Sequence, residues 1–166
     1  AYAKSKGIDF IICDHHRPGK ELPSAVAMLN PKQSDCNYPF KELCGCGIGF
    51  KLIQALASKD NQAVESLLSY LDLVATAIGA DIVPIVGENR ALAFLGLKVI
   101  NSNPRPGFLA IMSQLKKEKL TMTDIIFNIA PRINAAGRMK HGNYAVGLMK
   151  ETDLNNAKLA ASEIED

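Results

Sequence analysis

Ile8-Asp9-Phe10-Ile11-Ile12-Cys13-Asp14-His15-His16 is an apolar run that stops abruptly at a carboxylate and two imidazoles. Gly7 opens it, β-branched and aromatic residues fill it, and Arg17-Pro18-Gly19 closes it as a turn. The run therefore predicts a buried strand with three metal-competent side chains just past its carboxyl end. In an open α/β sheet that is where ligands bind. Without a metal, Asp14 would cap the turn and the histidines would pack or meet water. Two adjacent histidines directly after a strand shift the balance toward the metal.

The rest of the chain sets the bounds on that reading. With 166 residues and 48% hydrophobic content it can bury a sizeable core and the start of a second unit. A formal charge of +2 is too small to argue for nucleic acid by itself, so anion binding has to come from local clusters of Lys and Arg. No run approaches the roughly 18 apolar residues of a membrane span and no signal-peptide pattern opens the sequence, which makes a cytoplasmic protein the expectation. Ala1 to Lys6 resembles a helix tail with no initiator Met, and Thr152 is expected to cap a helix still running at Glu165-Asp166. Both ends read as cut, so an excised piece of a longer protein is expected. Among the cysteines, Cys44-x-Cys46 is too tight for a zinc knuckle, no second pair accompanies it, and Cys13 lies inside the apolar run. Reduced thiols are expected, together with Cys36.

Ser24 to Leu29 predicts a second short strand, ended by Asn30-Pro31. The glycines of Leu43-Cys44-Gly45-Cys46-Gly47-Ile48-Gly49-Phe50-Lys51 precede helical spacing at Leu52, Ile53 and Leu56. They match neither phosphate-loop fingerprint, and close helix packing explains them as well or better. A helix over 62–78 should end at Gly79 as its C-cap. Ala80-Asp81-Ile82-Val83-Pro84 follows, where Asp81 either caps a turn or joins Asp14-His15-His16 as a further ligand. Helices are expected over 88–99 and 108–117, and a short one over 125–129 behind Thr123 and Asp124. Ala130-Pro131-Arg132-Ile133-Asn134-Ala135-Ala136-Gly137-Arg138-Met139 then reads as an irregular loop with two arginines, suited to phosphate pairing or to structural salt links between helix ends.

Taken together, Asp14-His15-His16, Asn30-Pro31-Lys32, Tyr38-Pro39-Phe40, the glycine stretch, Ala80-Asp81-Ile82-Val83-Pro84 and Pro131-Arg132-Ile133-Asn134-Ala135-Ala136-Gly137-Arg138 resemble the DHH phosphoesterase family, and within it the single-strand-specific DNA exonucleases. The resemblance covers almost the whole chain. It implies an α/β fold, a parallel sheet flanked by helices followed by a mostly helical second half. It divides the chain into the C-terminal part of a catalytic domain (1–100), a helical extension with the arginine motif (101–150) and the start of an interdomain helix (151–166). It also implies two-metal phosphodiester hydrolysis with Mn²⁺ or Mg²⁺, acting 5′ to 3′ on single-stranded DNA in repair and recombination, with single-strand-binding protein as a further partner.

Carried onto this sequence, His15 and Asp81 become metal ligands, Asp14 and His16 catalytic residues, and His16, Arg132 and Arg138 phosphate contacts. Asp14 would orient the imidazoles. The family's Asp-x-Asp motif and a further Asp segment, N-terminal to Asp-His-His, do not occur in the first 13 residues, and its second domain is also missing. The piece alone is therefore expected to be inactive, to leave an apolar sheet edge exposed and to self-associate. Two alternatives differ in class: a small-nucleotide phosphodiesterase or pyrophosphatase of the same superfamily, or a scaffold relative that has lost catalysis.

Overall fold

The computed structural model describes residues 2–136 and 142–165. The opening run becomes a strand only at its end. After a short helix α1 (Tyr2–Ser5), β1 (Ile11–Cys13) pairs in parallel with β2 (Ala27–Leu29), Ile11 opposite Ala27 and Cys13 opposite Leu29. The ladder is extended by the Val26 N–H donating to the Phe10 carbonyl at 2.9 Å and the Asp14 N–H donating to the Leu29 carbonyl at 3.0 Å. Among the described residues this is the whole sheet, and the rest is mostly helix, giving an α/β fold.

The buried strand predicted from Ile8 is corrected on two counts. It is shorter, and Ile8, Phe10 and Ile11 are more than half exposed. Parallel strands are buried only when neighbours and helices cover both faces. Here β2 is the only strand partner among the described residues, so regular pairing ends with β2 and the apolar side chains stay open.

Helix α2 (Gly45–Lys59) begins at Cys44, whose Sγ accepts the Gly47 N–H at 3.3 Å in the manner of an N-cap. Its glycines do not serve close packing: a Cβ at Gly47 would meet only ordinary contacts and one at Gly49 none. The expected helix over 62–78 splits into a 3₁₀ segment (Val64–Tyr70) and α3 (Leu71–Ala80). Gly79 is not its C-cap; Asp81 is, and Gly79 instead lets Ile125 approach, since a Cβ there would lie 2.7 Å from Ile125 Cγ2. Helix α4 (Gly87–Ser102) crosses α3 more closely still, because a Cβ at Gly96 would stand 2.1 Å from the Leu71 carbonyl oxygen.

Next come α5 (Pro106–Gln114), with proline at its first position, and α6 (Met122–Asp124). The latter is opened by Thr121 rather than Thr123, in a reciprocal capping box with Asp124. A π-helical turn (Ile125–Ile129) runs directly into α7 (Ala130–Ala136). The irregular loop predicted there is a helix over 130–136. Pro131 sits just after the π turn, whose wider backbone leaves room for the ring that an α turn would oppose. Helices α8 (Asn143–Lys150) and α9 (Leu154–Glu165) follow; the Asn156 N–H bonds the Asp153 carboxylate at 2.9 Å, so Asp153 caps α9 where Thr152 is expected from the sequence.

Two apolar clusters result. Leu43, Ile48, Phe50, Leu71, Val74, Ile78 and Leu92 pack around α2, α3 and α4 beside the sheet. Ile100, Phe108, Ile111, Ile125, Ile129, Leu148 and Ala161 form the other around α5, α8 and α9. Asp72 and Arg105 link them: Arg105 Nε and Nη2 donate to the two Asp72 carboxylate oxygens at 2.5 and 2.8 Å, and Nη1 donates to the Met149 carbonyl at 2.9 Å. No helix among the described residues is long and apolar enough to cross a membrane.

Candidate metal and phosphate site

The end of β1 and the end of α3 deliver the site. Directly after Cys13, the Asp14 Oδ1 accepts the backbone N–H groups of His15 and His16 at 2.8 and 3.2 Å and lies 2.7 Å from His16 Nδ1. Asp14 therefore does cap its turn, and with the same oxygen it fixes one imidazole. A neutral His16 with its proton on Nδ1 donates to the carboxylate and leaves Nε2 directed elsewhere. Partial burial tends to raise the Asp14 carboxyl, but the hydrogen bonds from the His16 ring and the two backbone groups outweigh it and hold it below the ordinary carboxylate range. The His16 side chain is 79% exposed, open to an incoming ligand.

His15 is the more enclosed of the two. Its side chain is 17% exposed, Gly45 at the start of α2 lies under the ring, and Nε2 stands 3.6 Å from Asp81 Oδ2. The two rings sit side by side, centroids 4.5 Å apart and tilted by 51°. A separation of 3.6 Å is too long for a good hydrogen bond. It is close to the roughly 3.0–3.5 Å at which two ligands of one ion sit when each bond is about 2.1 Å. The donor set, one imidazole nitrogen and one carboxylate oxygen, suits a divalent transition-metal ion such as Mn²⁺, whereas Mg²⁺ would draw on the carboxylate and on further oxygen ligands. It is a partial set: among the described residues no three His, Cys, Asp or Glu side chains converge as a metal-holding group.

Sequence reasoning missed two asparagines that hold this arrangement. Asn30, 2% exposed, donates from Nδ2 to the His16 carbonyl at 2.8 Å while its Oδ1 accepts the Lys32 N–H at 2.9 Å. Asn89, fully buried in α4, donates to the Glu42 and Pro84 carbonyls at 2.6 and 3.0 Å. It thereby ties the segment after Asp81 to the loop that leads into α2. In the sequence Asn30 reads as a strand stop and Asn89 as an ordinary helix residue; a polar residue one turn before Leu92 is the only hint.

Arg132 lies on α7, and its Nη1 donates to the Asn128 carbonyl at 2.7 Å. Arg138 lies outside the described residues. The four cysteines form no disulfide. Burial pushes the Cys44 thiol up, with the Gly47 N–H opposing and Asp81 adding to the rise.

A carboxylate-anchored His pair at the end of a parallel strand, closed by an aspartate from a helix end, defines the class. Residues 1–78 match the model of the DHH family, N-terminal domain. The particular likeness runs along nearly the whole chain and is to RecJ. The chain is 37% identical to the single-stranded-DNA-specific exonuclease RecJ of Escherichia coli, covering 99% of this chain and 30% of that protein. It is 39% identical to the Bacillus subtilis protein of the same name, covering 98% and 20%. The crystal structure of RecJ in complex with Mn²⁺ from Thermus thermophilus superposes with a TM-score of 0.84 at 30% identity, over 97% of this chain and 24% of that one. The Mg²⁺ complex from the same organism gives 0.80 at 28% identity, over 96% and 24%. The chain thus spans about a third or less of the length of the curated relatives it matches.

Proposed function

We propose that this chain supplies part of the catalytic centre of a metal-dependent exonuclease that degrades single-stranded DNA from its 5′ end, in repair and recombination. The observation that carries the reading is the 3.6 Å approach of His15 Nε2 to Asp81 Oδ2, from segments distant in sequence, in a fold shared with Mn²⁺ and Mg²⁺ complexes of RecJ. His15 and Asp81 would hold a divalent ion, with Asp14 at its margin. Such an ion, paired with a second, supplies hydroxide near neutral pH and neutralises a scissile phosphate. His16 is exposed and anchored at Nδ1, so a protonated ring would donate from Nε2 to a phosphate oxygen while Asp14 stabilises its charge. Arg132, and Arg138 beyond it, would bind flanking phosphates.

In this reading residues 1–100 complete a catalytic domain, 101–150 form its helical extension and 151–166 begin the connecting helix. The expected setting is cytoplasmic, with single-strand-binding protein as a partner on the same substrate.

In the full-length protein, His15→Ala or Asp81→Ala should abolish Mn²⁺ binding and strand degradation together. His16→Ala should spare metal binding and lower kcat. Calorimetric Mn²⁺ titration alongside digestion of a 5′-labelled single strand checks both. Full metal affinity in both His15→Ala and Asp81→Ala would refute the reading, as would turnover unchanged in either. A small-nucleotide phosphodiesterase would instead leave long strands intact and cleave dinucleotides.

A further inference from the structure

The residue after Asp81 holds a conformation that its side chain disfavours. Ile82 has φ +52° and is 79% exposed. A β-branched residue in the left-handed region is an outlier that persists only where its surroundings over-determine it, and such outliers cluster at ligand sites. Packing does not account for the side chain, because most of it faces solvent. What it does is form one wall of a cavity of about 500 Å³ between the carboxyl end of α3 and the first turns of α7, shared with Gly79, Ala80, Ile126, Pro131 and Asn134. That volume lies in the range of small-ligand sites.

We infer that this groove receives one nucleobase of the single strand and that Ile82 positions it beside the His15–Asp81 pair; the inference rests on the exonuclease reading above. Three observations carry it. The first is place: Ile82 directly follows Asp81 and Ala80 directly precedes it, so the groove is walled by both chain neighbours of the residue that faces His15. The second is chemistry. Among the described residues the lining is small and apolar with no charged side chain, which suits the flat face of a neutral base and repels a bare phosphate. The third is simplicity of recognition. Asn134 is the only side-chain amide on the wall among the described residues, and one amide cannot read the full edge pattern of four bases, so the groove accepts any of them.

The test is a cycle between protein and strand. Fluorescence anisotropy of a labelled single strand is measured with the full-length protein in EDTA, with an abasic site moved one nucleotide at a time. The unmodified protein should lose roughly 5-fold in affinity at one position, the lower end for base contacts because the platform is aliphatic. Ile82→Gly should lose a similar factor on the intact strand and become insensitive to the abasic site at that position. Its Tm should not fall, because glycine takes φ +52° without strain. Ile82→Ala, which keeps the strain and shortens the wall, should fall between the two in affinity. Normal affinity in Ile82→Gly would overturn the inference, as would lost affinity with the abasic penalty retained, or a Tm drop showing that the side chain packs for stability. Failure of the unmodified protein to bind single strands would overturn the exonuclease reading as well; binding without coupling overturns this inference alone.

Discussion

Arg105→Ala should be among the most destabilising single changes in this chain, and the cost follows from three contacts. The Asp72 side chain is 2% exposed and receives two charge-assisted bonds from one guanidinium, at 2.5 and 2.8 Å. Removing the guanidinium strands a carboxylate that keeps only the Leu73 N–H at 2.6 Å. Breaking one side of a buried pair costs about 3–5 kcal/mol. Arg105 is itself 22% exposed, so water can partly replace it, which favours the lower end. The Met149 carbonyl also loses its donor, worth about 1 kcal/mol. A total of about 3–4 kcal/mol lowers Tm by about 10 °C for a chain of this size. Arg105→Lys keeps the charge but not the fork and should fall roughly midway. The double change Asp72→Leu with Arg105→Met should recover much of the loss, since it removes the stranded charge rather than one partner. Urea and thermal unfolding measure all three. A loss below about 1 kcal/mol for Arg105→Ala, the size of a single ordinary hydrogen bond, would refute the claim that this pair rivets the two apolar clusters.

Further outcomes follow from other contacts. The Lys117 ammonium, then the Thr121 groups, hold the buried Asp124 carboxyl at about 2, below its ordinary 3.8. Because the folded value is the lower one, the stability it contributes is present above about pH 4 and is lost as pH falls through about 2; Asp124→Asn should flatten that acid limb of the unfolding profile and destabilise the protein at neutral pH. Arg132→Ala should weaken single-strand binding and reduce its salt slope by about 0.7, one phosphate contact's worth, and an unchanged slope would make Arg132 a structural residue only. The exposed apolar side chains of Ile8, Phe10 and Val26, which line one groove beside the sheet, should drive self-association of the 166-residue chain, and Phe10→Asp with Val26→Lys should abolish it in sedimentation velocity; a monomer before substitution would refute that.

How much of this was legible in the sequence depends on the range over which each feature is decided. Asp14-His15-His16 and Asp81 were readable because short-range signals frame them: a turn after an apolar run, a helix end before an acid. That His15 and Asp81 converge is an expectation of ligand chemistry, and the 3.6 Å approach is made where the segment after β1 meets the C-cap of α3. Where the reading failed, tertiary contacts had overridden local preference. Gly79 looks like a helix stop but serves the close approach of Ile125, while a real stop is set one residue past Ala80. Pro131 looks like a helix breaker, yet a π turn ahead of it absorbs the ring. The apolar run from Ile8 looks buried because strand patterning reports what a residue can bury, not whether a neighbour is present to bury it.

The same division explains the two asparagines and Ile82. Asn30 and Asn89 act through backbone carbonyls contributed by other segments, contacts that leave no periodicity to read. Ile82 would pass in any sequence scan as one more apolar residue before a proline; only its positive φ and its exposure show that the backbone is strained there. Such strain, placed one residue from Asp81 and beside a groove with no charged side chain among the described residues, is not offset by burial of the side chain that bears it.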